Sequence, residues 1–231
     1  EVWVPPLIVR QVRGLLAHRR CLVESRTRSS NRLQSVLQRH NLPAPRGGPF
    51  SAANRTWWET LKISLTERLR VRQDLETLAH LNKQIAEIED EVYRLSTTEP
   101  WAAQVAFIIQ LPGFSVLLAM TILAAIGDIS RFPHPKQLVG YSGLGAGIHS
   151  SGQTHRSGHI TKTGRRELRW ALVEAAWCAV RYSPHWRAEF KRLTSRMPEN
   201  VAIVAIARKL LVVIWHVLAE QVADRHANQE R

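Results

Sequence analysis

Residues 101–126 read WAAQVAFIIQLPGFSVLLAMTILAAI. A long apolar run is broken once, at Pro112-Gly113, a dipeptide that interrupts regular structure and turns the chain. The stretch therefore reads as helix, tight turn, helix, and it sets the expected fold class as mainly α. Such a helix-hairpin-helix unit can offer backbone N–H groups to a phosphate at the start of its second helix. Any helix pair can turn at Pro-Gly, however, and the nucleic-acid-binding form has a second glycine where this chain has Ser115.

Outward from that hairpin, two further helices are expected downstream: ELRWALVEAAWCAVRYS (167–183) and ENVAIVAIARKLLVVIWHVLAEQVA (199–223). Leu168, Ala171, Leu172, Ala175 and Cys178 recur at helical spacing, which gives the first of these an inward face. The segments VLLAMTILAAI (116–126) and VAIVAIARKLLVVIWHVLA (201–219) are the most apolar. The first is too short to span a bilayer and the second is interrupted by Arg208, Lys209 and His216, so both read as core helices and no membrane partner is expected. Between the helices, residues 127–164 hold eight of the chain's twelve glycines and no carboxylate after Asp128. They read as irregular surface chain, a basic, glycine-rich loop over 141–166 mounted on a helical core.

Upstream, VWVPP reads as an extended lead-in to a long helix over 7–41. Its arginines, among them Arg19, Arg20, Arg26, Arg28 and Arg32, spread over several faces with Glu24 the only acid inside it. So few acids favour phosphate contact over an ordinary solvated face. LPAPRGGP (42–49) ends the helix. In a second long helix over 57–99, Leu78, Leu81, Ile85, Ile88, Val92 and Leu95 alternate spacings of three and four, the seam of a left-handed coiled coil. The seam could pair two copies of the chain or pack inside one. The divisions expected are 1–55, an Arg-rich helical segment; 56–99, a coiled-coil helix; and 100–231, a C-terminal domain.

The net charge of +13 favours a polyanionic partner, nucleic acid first. Two basic blocks flank an acidic one: residues 1–55 carry ten Arg against two Glu, 56–99 six basic against nine acidic, and 100–231 sixteen against eight. Two distant cysteines, Cys21 and Cys178, form no disulfide framework, so a reducing compartment, the cytoplasm, is expected. With no charged leader ahead of an apolar run, no signal peptide is expected.

The chemistry concentrates in GIHSSGQTHRSGHITKTGRRELR (147–169), with three histidines, five Arg or Lys and one carboxylate. GLGAG (143–147) lacks the flanking strand, GK[ST] or acidic partner of a nucleotide loop. His149, His155 and His159 have no Cys or carboxylate beside them to complete a zinc site. A serine needs activation to act as a nucleophile, and the charge developing on an attacked phosphate needs nearby donors. Arg156, Lys162, Arg165, Arg166 and Arg169 supply such donors close to Ser151, and Gly152 allows close approach of a phosphodiester. His149 or His155 could carry the proton. A loop that only grips phosphate fits the same residues.

The ordered elements Pro112-Gly113, Ile126-Gly127-Asp128, Arg131-Phe132, Tyr141 with Gly143-Leu144, Ser151-Gly152, Ile160 with Lys162 and Gly164, and Leu168-Arg169 resemble a known pattern. It is that of bacterial insertion-sequence transposases of the one-ten group, the bridge-RNA-guided serine recombinases. VWVPP with the following RTRSSNRLQSVL resembles the segment after that family's RuvC-like domain. The resemblance implies DNA as substrate, a structured guide RNA, and Ser151 as the nucleophile that forms a phosphoserine intermediate, with Ser150 as the neighbouring alternative; assembly as a homo-oligomer is expected instead from the 57–99 coiled-coil seam. The resemblance also implies Mg2+ held by four carboxylates of a RuvC-like domain that would precede residue 1. This chain alone is then expected to bind nucleic acid without recombining it.

Overall fold

The computed structural model describes residues 3–151 and 154–224, with the side chains of residue 52 and residues 148–157 left out. Among the described residues the chain is mainly helical, with eight α-helices and one two-stranded antiparallel sheet. It divides into two compact units, Gly14–Glu91 and the remainder.

The first unit is an antiparallel helix pair. Helix α1 (Leu7–Arg39) contributes its residues from Gly14 onward, and helix α2 (Leu65–Ser96) its residues to Glu91. Cross-links descend along α2 as they climb α1: Arg19 with Glu89, Arg26 with Asn82, Arg32 with Asp74 and Arg39 with Glu67. Leu33, Val36, Leu37, Trp58, Leu61, Val71 and Leu78 form one buried cluster. Trp58 reaches it from a short 3-10 turn, Thr56–Thr60, and its indole N–H donates to the Pro49 carbonyl at 2.7 Å. The segment rich in Pro and Gly thus closes the open end of the pair. The seam positions Leu78, Leu81, Ile85 and Ile88 are buried within the chain itself.

In the second unit, helix α3 (Ala102–Ile109) and helix α4 (Val116–Ile126) lie either side of the Pro112-Gly113 turn. Ser115 caps α4, its hydroxyl accepting from the Leu118 N–H at 3.3 Å, the ordinary N-cap arrangement. Gly113 has φ +92°, and a Cβ there would overlap the backbone of Ala175 and lie 2.6 Å from the Ala179 nitrogen. The glycine side of the turn is therefore packed on helix α6 (Arg166–Tyr182). Helix α5 (Pro135–Ser142), α6 and helix α7 (Pro184–Thr194) surround helix α8 (Glu199–Glu220). By length and composition α8 could cross a membrane, but Ile203, Ile206, Leu210, Leu211 and Ile214 are buried in this helical core. Glu189 on α7 ties to α8 through Lys209 Nζ at 2.6 Å.

The irregular reading of 127–164 needs correction. After α5 the chain forms strands β1 (Ala146–Ser151) and β2 (Thr154–Ile160). Their register pairs Ser151 with Thr154, Ser150 with His155 and His149 with Arg156, and it shifts by one residue toward Ala146 and Ile160. Glycine density hid the hairpin. The signal was there in the Ser-Gly step flanked by short runs holding Ile, Thr and Ser.

Candidate nucleic-acid interface

The base of the β-hairpin is held by close backbone packing. Gly143 ends α5 in the left-handed region (φ +71°), and its carbonyl accepts from the Lys162 N–H at 3.1 Å. The Gly145 carbonyl accepts from the Thr161 N–H at 2.9 Å. A Cβ on Gly164 would overlap the Tyr141 carbonyl oxygen and lie 2.5 Å from the Ser142 carbonyl carbon. Two glycines twenty-one positions apart in sequence are thus required at one crossing of the chain.

Arg169 locks that crossing. Its Nη1 donates to the Ser142 carbonyl at 3.0 Å and to the Gly164 carbonyl at 2.6 Å, and the residue is half-buried. It holds the hairpin root on the helical core. Arg165 donates through Nε to the Tyr141 hydroxyl at 2.9 Å, and that hydroxyl donates to the Ala125 carbonyl at 3.0 Å. Lys162, Arg165 and Arg166 are exposed. Gly140, Tyr141, Thr163, Gly164, Arg165 and Glu167 line a surface pocket of about 470 Å³. Arg165 and Arg166 open α6, whose N-terminal N–H groups and dipole favour an anion.

A second group of cations gathers at the C-terminal end of α4. Arg13 donates to the Ala124 carbonyl at 2.6 Å through Nε and to the Ala125 carbonyl at 2.9 Å through Nη2. Arg131 donates to the Ile126 carbonyl at 2.9 Å, and its guanidinium lies 3.7 Å from the centre of the Trp3 ring. These are the natural partners of a helix's last carbonyls. Burial holds the Arg13 pKa below its usual value, and repulsion from Arg165 and Arg131 adds to that. Trp3 also fills the space beside Gly127 that a Cβ would need, so the VWVPP lead-in is docked by its tryptophan. Sequence reading grouped Arg13 with the Arg-rich helix. Its signal was spacing: with Val9 and Val12 it lies on the inward face of α1.

The predicted cations therefore fall into distinct settings. Arg19 bonds Glu89, with Nε at 2.8 Å from the carboxylate, and Arg32 Nε lies 3.0 and 3.1 Å from the two oxygens of Asp74. Arg20 sits 3.9 Å from Glu24 one turn away. Arg26 contacts the neutral Asn82 at 3.5 Å, and Arg28 the Ser25 hydroxyl at 3.1 Å. Ser151, Ser150, His149, His155 and Arg156 are placed by strand register alone, and their side chains lie outside the described residues. Among the described residues no three His, Cys, Asp or Glu converge as a metal site.

Comparison with known proteins places this geometry. Residues 105–191 match the family model described as Transposase IS116/IS110/IS902 family, a span that runs from α3 through the hairpin to α7. The chain is 30% identical over 225 residues to the transposase for insertion sequence element IS1111A of Coxiella burnetii, covering 92% of this chain and 59% of that protein. It is 28% identical over 149 residues to the pilin gene-inverting protein of Moraxella bovis, covering 63% and 46%. It is 25% identical over 145 residues to the 43.6 kDa protein of insertion element IS110 of Streptomyces coelicolor, covering 62% and 35%. The chain thus spans about three-fifths of the length of the Coxiella relative and less of the other two. The Gly143–Gly164 crossing, the hairpin and the Arg169 lock all lie within the region that matches the transposase model of the IS116/IS110/IS902 family.

Proposed function

We propose that this chain is the DNA-handling part of an insertion-sequence transposase, in which Ser151 on β1 attacks a DNA phosphodiester. The supporting observation is the anchored hairpin. Arg169 and the two glycines fix its root to the helical core, while Lys162, Arg165 and Arg166 stand exposed beside it. The serine oxygen would form a bond to phosphorus, the strand's leaving oxygen would take a proton, and the exposed cations would stabilise the charge on the phosphoryl oxygens.

Phosphate contact falls to Lys162, Arg165, Arg166 and Arg156, and on the helix pair to Arg26 and Arg28, with Arg20 partly neutralised by Glu24. Arg19 and Arg32, each bonded to a carboxylate, contribute less, and Arg169 acts as a positioning residue. The acids present do not suit Mg2+, since no three ligands converge among the described residues. The family resemblance assigns that ion's charge neutralisation to a RuvC-like domain, and guide RNA and a cytoplasmic setting belong to the same reading. Further copies of the chain would have to meet on surfaces other than the seam of α2, which is buried. Incubating the chain with a RuvC-like domain of the family, guide RNA and labelled DNA should yield a covalent adduct that Ser151→Ala abolishes and Ser150→Ala leaves. An adduct that survives Ser151→Ala would overturn the assignment.

The exposed cations Lys162, Arg165 and Arg166 also fit a second reading, a nucleic-acid-binding protein without strand-transfer chemistry. It requires salt-sensitive binding and no hydroxyl.

A further inference from the structure

We propose that the outward face of α6 is a stacking surface for single-stranded nucleic acid. The inward face of this helix carries Leu168, Ala171, Leu172, Ala175, Ala176 and Ala179, all buried. Opposite them, positions 166, 170, 173, 174, 177 and 181 recur every three to four residues and share one side. That side reads Arg, Trp, Val, Glu, Trp, Arg. Trp170 is 47% exposed and Trp177 43%. Seven residues separate them, two turns of helix or roughly 10 Å along its axis.

Large aromatics are normally covered, and one exposed singly needs no explanation. Two on one face, bracketed by the exposed Arg166 and Arg181, are a different matter. Trp177 meets Phe190 of α7 edge-on, with ring centres 5.7 Å apart. The contact steadies the ring while leaving it substantially open. Exposed tryptophans also mark protein interfaces, but the charges at both ends of this stripe are cationic, with Glu174 on it and Glu167 beside it as its acids. A ligand with flat π-faces along a polyanionic backbone satisfies both features, with bases on the tryptophans and phosphates on the arginines. Duplex DNA hides its base faces in the helix stack, so the surface selects unpaired strand. The inference rests on the nucleic-acid reading above but not on Ser151.

The test is anisotropy titration of the full chain with a labelled oligo(dT) of about 15 nucleotides, within the range of stacking sites, and with a duplex of equal length. Trp170→Ala/Trp177→Ala should weaken single-strand binding at least about tenfold, leave duplex binding within about twofold, and leave the salt slope unchanged. The Phe/Phe variant should retain most of the affinity. Should the double alanine variant unfold, Trp170→Ala alone should still lose about threefold or more. Unchanged single-strand affinity, or equal loss on single strand and duplex, would overturn the proposal. So would unchanged binding with a changed sedimentation coefficient, since the face would then seat a protein. Failure of the unsubstituted chain to bind either nucleic acid would instead sink the underlying nucleic-acid reading.

Discussion

The two units carry similar numbers of conspicuous arginines and use them in opposite ways. In the helix pair, Arg19, Arg32 and Arg39 face carboxylates of α2, so the basic first block of the sequence is partly neutralised by the acidic second. In the C-terminal unit Arg192 pairs with Glu189, but Arg13, Arg131 and Arg169 donate to backbone carbonyls and Arg165 to a tyrosine hydroxyl. A carbonyl or hydroxyl satisfies the hydrogen bonds of a guanidinium without cancelling its charge. The second unit therefore keeps a positive field that the first gives up, and charge per block is a poorer guide to DNA contact than the partner of each cation.

The sharpest way to break this comparison is at the chain crossing. Gly164→Ala should destabilise the C-terminal unit by on the order of 3 kcal/mol, because the new Cβ meets backbone that cannot move aside. Gly113→Ala should do similar damage through its positive φ and the α6 backbone behind it. Thermal unfolding measures both, and a loss below about 1 kcal/mol would mean that the crossing is looser than described.

Next in size is Arg169→Ala, which leaves the carbonyls of Ser142 and Gly164 without their donor. Chemical denaturation should register a loss of about 2 kcal/mol. Tyr141→Phe should cost about 1 kcal/mol and free Arg165 from its anchor. Arg32→Ala, at an exposed ion pair of the other unit, should cost about 0.5 kcal/mol and shrink further in high salt. If Arg32 proved as costly as Arg169, the distinction between the units would fail.

A separate effect is a pH dependence. Hydrogen bonds from Arg192 and Lys209 lower the Glu189 pKa from 4.5 to about 2. Between those values the unfolded chain binds the proton and the folded one does not, so the stabilisation is full above about pH 4.5 and is lost as pH falls toward 2. Glu189→Gln should flatten that part of the stability profile, read by denaturation at a series of pH values.

Much of the fold could be read directly. The order helix, turn, helix over α3 and α4 follows from Pro112-Gly113 between apolar runs, and the core role of α8 from the cations that interrupt it. The α2 seam was recognised by its spacing, but spacing holds no information on which chain fills it. Only the matched sequence of Arg and acid pairs along α1 and α2 shows that α1 does, and that pattern needs three-dimensional register to see. The β-hairpin was missed because its glycines imitate loop composition. At the site, Lys162, Arg165 and Arg166 were read as phosphate donors, and the structure leaves all three exposed. The structural task of Arg169 was not, since a guanidinium that holds two carbonyls has the same sequence signature as one that holds phosphate. The tryptophan stripe of α6 was legible as helical spacing but was absorbed into the helix as ordinary apolar content.

The central claim is that exposed cations beside the hairpin, and not the carboxylate-paired arginines of α1, bind the DNA backbone. Duplex binding by the full chain, measured over a series of salt concentrations, tests it most directly. Each phosphate contact contributes about 0.9 to the slope of log affinity against log salt. Lys162→Ala/Arg166→Ala should reduce the slope by up to about 2, and Arg19→Ala/Arg32→Ala should leave it nearly unchanged. A slope that falls for the α1 pair and holds for the hairpin pair would contradict the account.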